Sequence, residues 1–325
     1  MDRAKILALI GVAHARGLEI GAQTRPVVTR NMGTVEYVDR ATTDELRRWY
    51  ANDPAIDPTT LVEVDHVWGE RTLIDCVGGK RAYDYVIASH VLEHVPDLLG
   101  WLGEIAAVLV DGGIASFVVP DKRFTFDLLR RTSSNSELVD AYLRRLRRPE
   151  PRQVFDHFHN HRDIANESVR RGEVLPSELP PMHTPQRLVD ICRHVLTTGE
   201  YLDAHCWVFT PRSFVDALDF ANGLGVLPFE IAALYPTLGN SDEFFVSLRR
   251  LPEAASDEER RAAFVTSRQR LSLPPEGDDL KAAAERALAA ERQLAALRSS
   301  TSWRITAPLR RLASAWRSLR SDRAS

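Results

Sequence analysis

The sequence predicts an α/β fold, a doubly wound and mostly parallel sheet of seven strands. From Leu18 to Val119 short apolar segments alternate with helical ones, the pattern of a parallel sheet covered by helices. Residues 83–88 form a nearly continuous apolar run, which suits a strand buried on both faces. A short buried segment at residues 17–21 ends in a glycine turn, and the next strand ends in an acid, Asp39.

Each element has its own local reason. Residues 4–14 read as a short helix, with Ile6, Leu7 and Ile10 at helical spacing. Residues 17–21 and 35–39 are the first two strands. Thr43 is the expected cap of a helix opening on Asp44, Glu45 and Leu46. Residues 61–67 alternate as a third strand, and 83–88 are the fourth. A helix over 97–109 is stopped by Asp111-Gly112-Gly113, and a fifth strand over 114–119 is halted by Pro120.

Beyond Pro120 the rhythm breaks. Residues 124–205 are rich in charge, proline and histidine and read as a mainly helical insertion or lid. Thr210-Pro211 is a cap followed by proline at the first helical position. Phe214, Leu218 and Ala221 line that helix, and Gly223 ends it. Residues 228–234 and 243–248 are two closing strands, and the link between them is short enough for an antiparallel hairpin. There is no internal repeat.

The main domain is expected over 1–252, with a helical tail over 253–325. In the tail, residues 278–298 read as a helix or short coiled coil whose apolar positions are mostly alanine. Leu309, Leu312, Trp316 and Leu319 then follow helical spacing, while Arg310, Arg311, Arg317 and Arg320 take the other faces. Such a basic amphipathic helix, preceded by Trp303 and Ile305, suits the surface of an anionic bilayer, a partner such as a glycosyltransferase, or the domain itself.

Composition narrows the function classes. The 325 residues, 44% hydrophobic and 27% charged, suffice for a substantial core. A formal net charge of -3 provides no global basic field, so a nucleic-acid partner is not expected. Cys76, Cys192 and Cys206 form neither a disulfide framework nor a CxxC pair, which points to a reducing compartment. No secretory signal or membrane span is recognised, so a cytoplasmic protein, peripheral at the inner face of the plasma membrane through residues 303–320, is expected.

The residues with the strongest chemical content are Gly21 and Asp39. In open α/β sheets ligands sit beyond the carboxyl ends of the strands, where glycine admits close backbone approach and an acid accepts the hydroxyls of a ribose. The plainer alternative is a tight turn and a helix cap. Residues 83–97, with Ser89-His90-Val91-Leu92-Glu93-His94, closely resemble the fourth-strand segment of class I S-adenosylmethionine-dependent methyltransferases. Leu18-Glu19-Ile20-Gly21 resembles their first motif, and the closing helix and hairpin match their last elements. The second and third glycines usual in that motif are absent, the turn reading Gly21-Ala22-Gln23-Thr24-Arg25-Pro26. That departure disfavours a dinucleotide, whose pyrophosphate needs the full glycine loop, more than a cofactor without phosphate.

The resemblance implies a Rossmann-like methyltransferase fold over roughly residues 17–250, with S-adenosyl-L-methionine as cofactor. It places Glu19, Gly21 and Ala22 at the methionine end, Asp39 at the ribose, Asp65 and Trp68 near adenine, and Ser89 and His90 near the sulfonium. Residues 118–127, with Asp121, Lys122 and Arg123, resemble a bacterial subgroup associated with surface-polysaccharide biosynthesis. The expected acceptor is therefore a saccharide or lipid-linked glycan, methylated at a hydroxyl. His90 and Asp121 are the candidate bases; Lys122, Arg123, His205 and Trp207 are the candidate acceptor contacts. Asp121 paired with Arg123 as a helix cap is the structural alternative.

His157, His159 and His161 would share one face of an extended segment and invite a metal reading, but no matched fourth ligand follows, and no metal is assigned. Two other functions share this sheet: a nicotinamide-dependent oxidoreductase, and a non-catalytic scaffold in polysaccharide assembly.

Overall fold

A computed structural model describes residues 2–54, 56–79, 81–174, 176–238 and 241–273. Seven strands form one sheet in the order β3-β2-β1-β4-β5-β7-β6. They are β1 (Arg16–Ile20), β2 (Thr34–Asp39), β3 (His66–Val67), β4 (Tyr83–Ser89), β5 (Leu109–Pro120), β6 (Phe229–Tyr235) and β7 (Glu243–Arg250). The first five are parallel; β7 inserts antiparallel between β5 and β6. The chain order therefore reverses between β1 and β4, the crevice where open sheets of this kind bind ligands.

Ten helices accompany the strands among the described residues. Around the first half of the sheet run α1 (Arg3–Leu7), α2 (Thr43–Trp49), α3 (Leu73–Val77) and α4 (Leu98–Val108). Between β5 and the closing elements come α5 (Asn135–Arg144), α6 (Pro151–Asn160), α7 (Asn166–Arg170) and α8 (Pro185–Thr198). The last two are α9 (Pro211–Gly223) and α10 (Asp257–Gln269). Leu18, Val86, Ala115 and Phe117 from the central strands are fully buried among Trp101, Leu102 and Ile105 of α4 and Phe214 and Leu218 of α9. The opposite face buries Val35, Tyr37, Tyr85, Ile87 and Val118, and burial supplies roughly 1.5–3 kcal/mol for each large apolar side chain.

Several elements differ from the sequence expectation for local reasons. Gly11 interrupts the first helical pattern, leaving α1 and a separate 3-10 turn at Val12–His14. The cap of α2 is Thr42, one residue early, in a reciprocal capping box with Glu45. Only His66 and Val67 pair as β3, because the preceding amides are taken elsewhere. Val62 donates to the Gln23 carbonyl at 2.9 Å and Val64 to the Thr43 hydroxyl at 2.9 Å. Strand β5 starts at Leu109, since Asp111-Gly112-Gly113 forms an irregularity within the strand rather than a stop, with Gly112 at φ +80°.

The compact unit also runs on to Pro274, past the boundary expected at 252. The cause is α10: Phe264 is fully buried, the Ser267 hydroxyl accepts from the Ile231 amide at 3.0 Å, and Arg261 and Arg268 bind Asp219 on α9. Residues 275–325 form a second unit. The tail helices expected at 278–298 and 303–320 lie outside the described residues.

Candidate active site

A cavity of about 670 Å³ opens at the carboxyl edge of the sheet. Gly21, at the end of β1, sits at φ +69°, where a Cβ would come within 2.6 Å of Val91 Cγ2. Only glycine takes both that backbone conformation and that close approach without strain. Asp39 closes β2 and lines the cavity, accepting from the Arg40 amide at 2.7 Å. Burial pushes its pKa up to about 6, against the pull of that amide and of the Arg40 charge. Trp68 follows β3 and lies on the same wall, stacked on Trp101 at 6.2 Å between ring centroids. Its indole N–H is buried without a hydrogen-bond partner.

His90 lines the cavity just past β4 at φ +54°, a strained region for a side chain of its size. Nε2 donates to Glu243 at 2.8 Å and Nδ1 lies 3.4 Å from Glu93. Desolvation lowers its pKa, but the two glutamates outweigh it and push the value up to about 10. The two carboxylates favour the protonated ring, with Nε2 engaged by Glu243, an arrangement suited to holding charge at this wall rather than to taking a proton.

The far wall comes from the insertion, which contributes Leu146, Arg147, Glu200, Tyr201 and Asp203. The Arg40 guanidinium stacks on the Tyr201 ring at 3.0 Å, and the Tyr201 hydroxyl donates to Asp203 at 2.7 Å. The strand edge and the insertion therefore face each other across one space. Gln23, Arg40, Tyr50, His94 and Asp97 also line it, beyond the residues expected. Arg40 could have been marked by its place directly after the strand-closing acid; Trp101 carries no signal separating it from core.

Other expected site residues point elsewhere. Glu19 is buried and turned from the cavity, accepting the amides of Val27 at 2.6 Å and Val28 at 3.0 Å. Burial raises its pKa to about 7 despite those amides, and its work is to fasten the turn after β1. Ala22 packs in the core with Val27 and Val28. Asp65 is held by Arg30 at 2.8 Å and by the Tyr37 amide at 2.7 Å, and Ser89 keeps its hydroxyl buried; neither lines the cavity.

Asp121 is 0% exposed. Its carboxylate accepts from Arg123 Nη2 at 2.6 Å, from Arg123 Nε at 2.9 Å and from the Thr237 hydroxyl at 2.7 Å. It caps a 3-10 turn and has no route to an acceptor proton. Arg123 is spent on that pair, and Lys122 Nζ donates to the Leu128 carbonyl at 3.2 Å, so neither lines the cavity. Trp207 is buried, its indole donating to the Val95 carbonyl at 2.5 Å, a packing role.

The histidine-rich segment is helix α6, not an extended strand, which separates its side chains. His159 is exposed, while His157 and His161 share a face one helical turn apart. His157 joins a buried network with Asp127, Arg130 and His205 instead of the other two histidines.

Comparison with known families decides the class. A methyltransferase-domain family matches residues 3–224 of the chain. The chain belongs to this methyltransferase family. It is an S-adenosylmethionine-dependent methyltransferase. No curated protein matches it. Solved structures similar to the methyltransferase include an S-adenosylmethionine-dependent methyltransferase from Mesorhizobium loti, 15% identical, with a TM-score of 0.38 over 76% of this chain and 96% of that one. Another, from Methanosarcina mazei, is 15% identical, with a TM-score of 0.35 over 74% and 93%. The CurJ carbon methyltransferase is 14% identical, with a TM-score of 0.36 over 75% of this chain, which spans half of its length.

Within this methyltransferase the residues fit the cofactor. Gly21 leaves space that a Cβ would fill, Asp39 offers a carboxylate for a ribose diol, and the unpartnered N–H of Trp68 marks a polar want on an aromatic wall.

Proposed function

We propose that this methyltransferase transfers a methyl group to a hydroxyl of a saccharide or related cell-envelope precursor. The observation that carries the reading is the composition of the far wall, where Arg147, Glu200, Tyr201 and Asp203 face the cofactor edge. Charges of both signs and a hydroxyl on one wall suit a polyhydroxylated acceptor, which needs many directional hydrogen bonds.

S-adenosylmethionine, when bound, supplies a methyl carbon on a positive sulfur, a good leaving group. The protein's share is placement: Asp39 would hold the ribose, Gly21 would let the backbone close in, and the insertion would order the acceptor opposite. Holding two reactants in line supplies much of the rate in such a displacement. His90, held between Glu93 and Glu243, is a positioning group on this wall.

The test is incubation with isotope-labelled methyl donor and a panel of free, nucleotide-linked and lipid-linked sugars, followed by mass spectrometry. Labelled methyl ether on a sugar is expected. Label confined to amine or carbon acceptors defeats the reading. Among the described residues no helix is long and apolar enough to cross a membrane. Contact with a lipid-linked acceptor is assigned to residues 303–320.

A further inference from the structure

Among the described residues Glu93 is buried with both carboxylate oxygens lacking a hydrogen-bond partner. It is 1% exposed, and His90 Nδ1 approaches one carboxylate oxygen to 3.4 Å. His90 supplies countercharge from one side, yet no donor makes a hydrogen bond to either oxygen, so the buried carboxylate keeps lone pairs for a further ligand. Beside it stand His94 and His205, and ligand-capable atoms of the three lie within 4.8 Å of one another.

The two histidines are prepared in the same way. His94 Nδ1 donates to Asp203 at 2.9 Å, and His205 Nδ1 donates to Asp127 at 2.6 Å. In each ring this leaves Nε2 as the free nitrogen, and the rings meet edge to face at 4.7 Å. A carboxylate behind Nδ1 is the usual outer partner of a metal-bound histidine, fixing the tautomer and raising its basicity. The backbone holds the juxtaposition: the amides of Cys206 and Trp207 both donate to the Glu93 carbonyl, at 2.6 and 3.2 Å.

We propose that Glu93, His94 and His205 bind a divalent transition-metal ion at the floor of the cavity. Two imidazoles and one carboxylate suit zinc or a related first-row ion rather than calcium or magnesium. At tetrahedral angles, bonds of about 2.0–2.2 Å set donor atoms about 3.3–3.6 Å apart, so donors lying within 4.8 Å of one another close by up to about 1.5 Å on binding. Asp127, His157 and His205 form a second close group, but it serves as the outer shell. His157 Nδ1 accepts the His205 amide at 3.2 Å, so its other nitrogen carries hydrogen, and Asp127 is also held by Arg130 at 2.8 Å.

Of the three ligands His94 lines the cavity, so an ion held by them would lie against the cavity wall at that residue. Its role, unlike its existence, rests on the hydroxyl-methylation reading above. A sugar hydroxyl on the ion ionises more readily, its proton passing to water in the cavity, a step that neither His90 nor Asp121 is suited to perform.

The test uses the full chain, stripped with chelator and titrated calorimetrically with Zn²⁺. One ion per chain is expected, with Glu93→Gln and His205→Ala each weakening binding at least tenfold and Asp127→Asn weakening it 10- to 100-fold. Exposed His159→Ala should leave it unchanged. Circular dichroism melts establish that the variants fold, and X-ray absorption of the wild-type zinc form should show imidazole scattering from two histidines, a readout that needs no variant. Absence of stoichiometric zinc in the wild type, or affinity that follows His159 instead, overturns the site. Because the titration uses no acceptor, zinc binding without sugar methylation would keep the site and discard the proposed substrate.

Discussion

Asp39 is an acid made reluctant to ionise by its own burial, with a pKa near 6. A ribose diol would donate to the ionised form, so cofactor binding at Asp39 would draw on the carboxylate and not on the acid. Affinity for S-adenosylhomocysteine is therefore predicted to be level above about pH 7 and to fall as pH drops through about 6. Calorimetry between pH 5 and 8 checks this, and a flat profile contradicts it. A second residue-scale prediction concerns Arg130, 3% exposed and bonded to Asp127, to Asp156 and to the His205 carbonyl. Arg130→Ala leaves Asp127 buried without its guanidinium, a loss of roughly 3–5 kcal/mol expected in urea denaturation. Gly21, Asp39, Trp68 and His90 were legible in the sequence because each sits at a strand end, where topology alone puts it at the cavity. Asp121, Lys122 and Arg123 hold the same kind of position yet fail as site residues. Asp121 meets its partners two residues away and on Thr237, a pairing no periodicity announces.

At the scale of elements, β1 depends on what lies across from it. A Cβ at Gly17 would fall 1.7 Å from the Tyr85 ring on neighbouring β4. Gly17→Ala must therefore displace a buried tyrosine, costing about 1–3 kcal/mol, read as a lowered denaturation midpoint. Phe264→Ala in α10 should cost about 3–5 kcal/mol, since that ring is fully buried; a change near zero would mean α10 does not belong to the domain. The sheet itself was readable, because buried parallel strands leave apolar runs and their connections leave caps and glycines. β3 and α10 were not. The alternation at residues 61–67 turns out to bury Leu61 beneath α2, and α10 shows its attachment only through Phe264 and the arginines that reach α9.

At the scale of the whole molecule, the insertion after β5 turns an open sheet edge into a walled cavity. Its position was visible as a break in the rhythm, but its contribution of Arg147, Tyr201 and Asp203 depends on how α5 and α8 end, which spacing does not encode. The tail makes a separate prediction: a chain ending at Leu297 should lose binding to anionic liposomes in a flotation assay while keeping its affinity for S-adenosylhomocysteine. Retained flotation removes the membrane role. The account as a whole stands on the nucleoside lying between Gly21 and Asp39 at the β1–β4 crevice. Titrating S-adenosylhomocysteine into the wild type and Asp39→Ala at pH 7.5 tests it most directly. One site, weakened at least tenfold in the variant, is the predicted result; equal affinity in two folded proteins would contradict it.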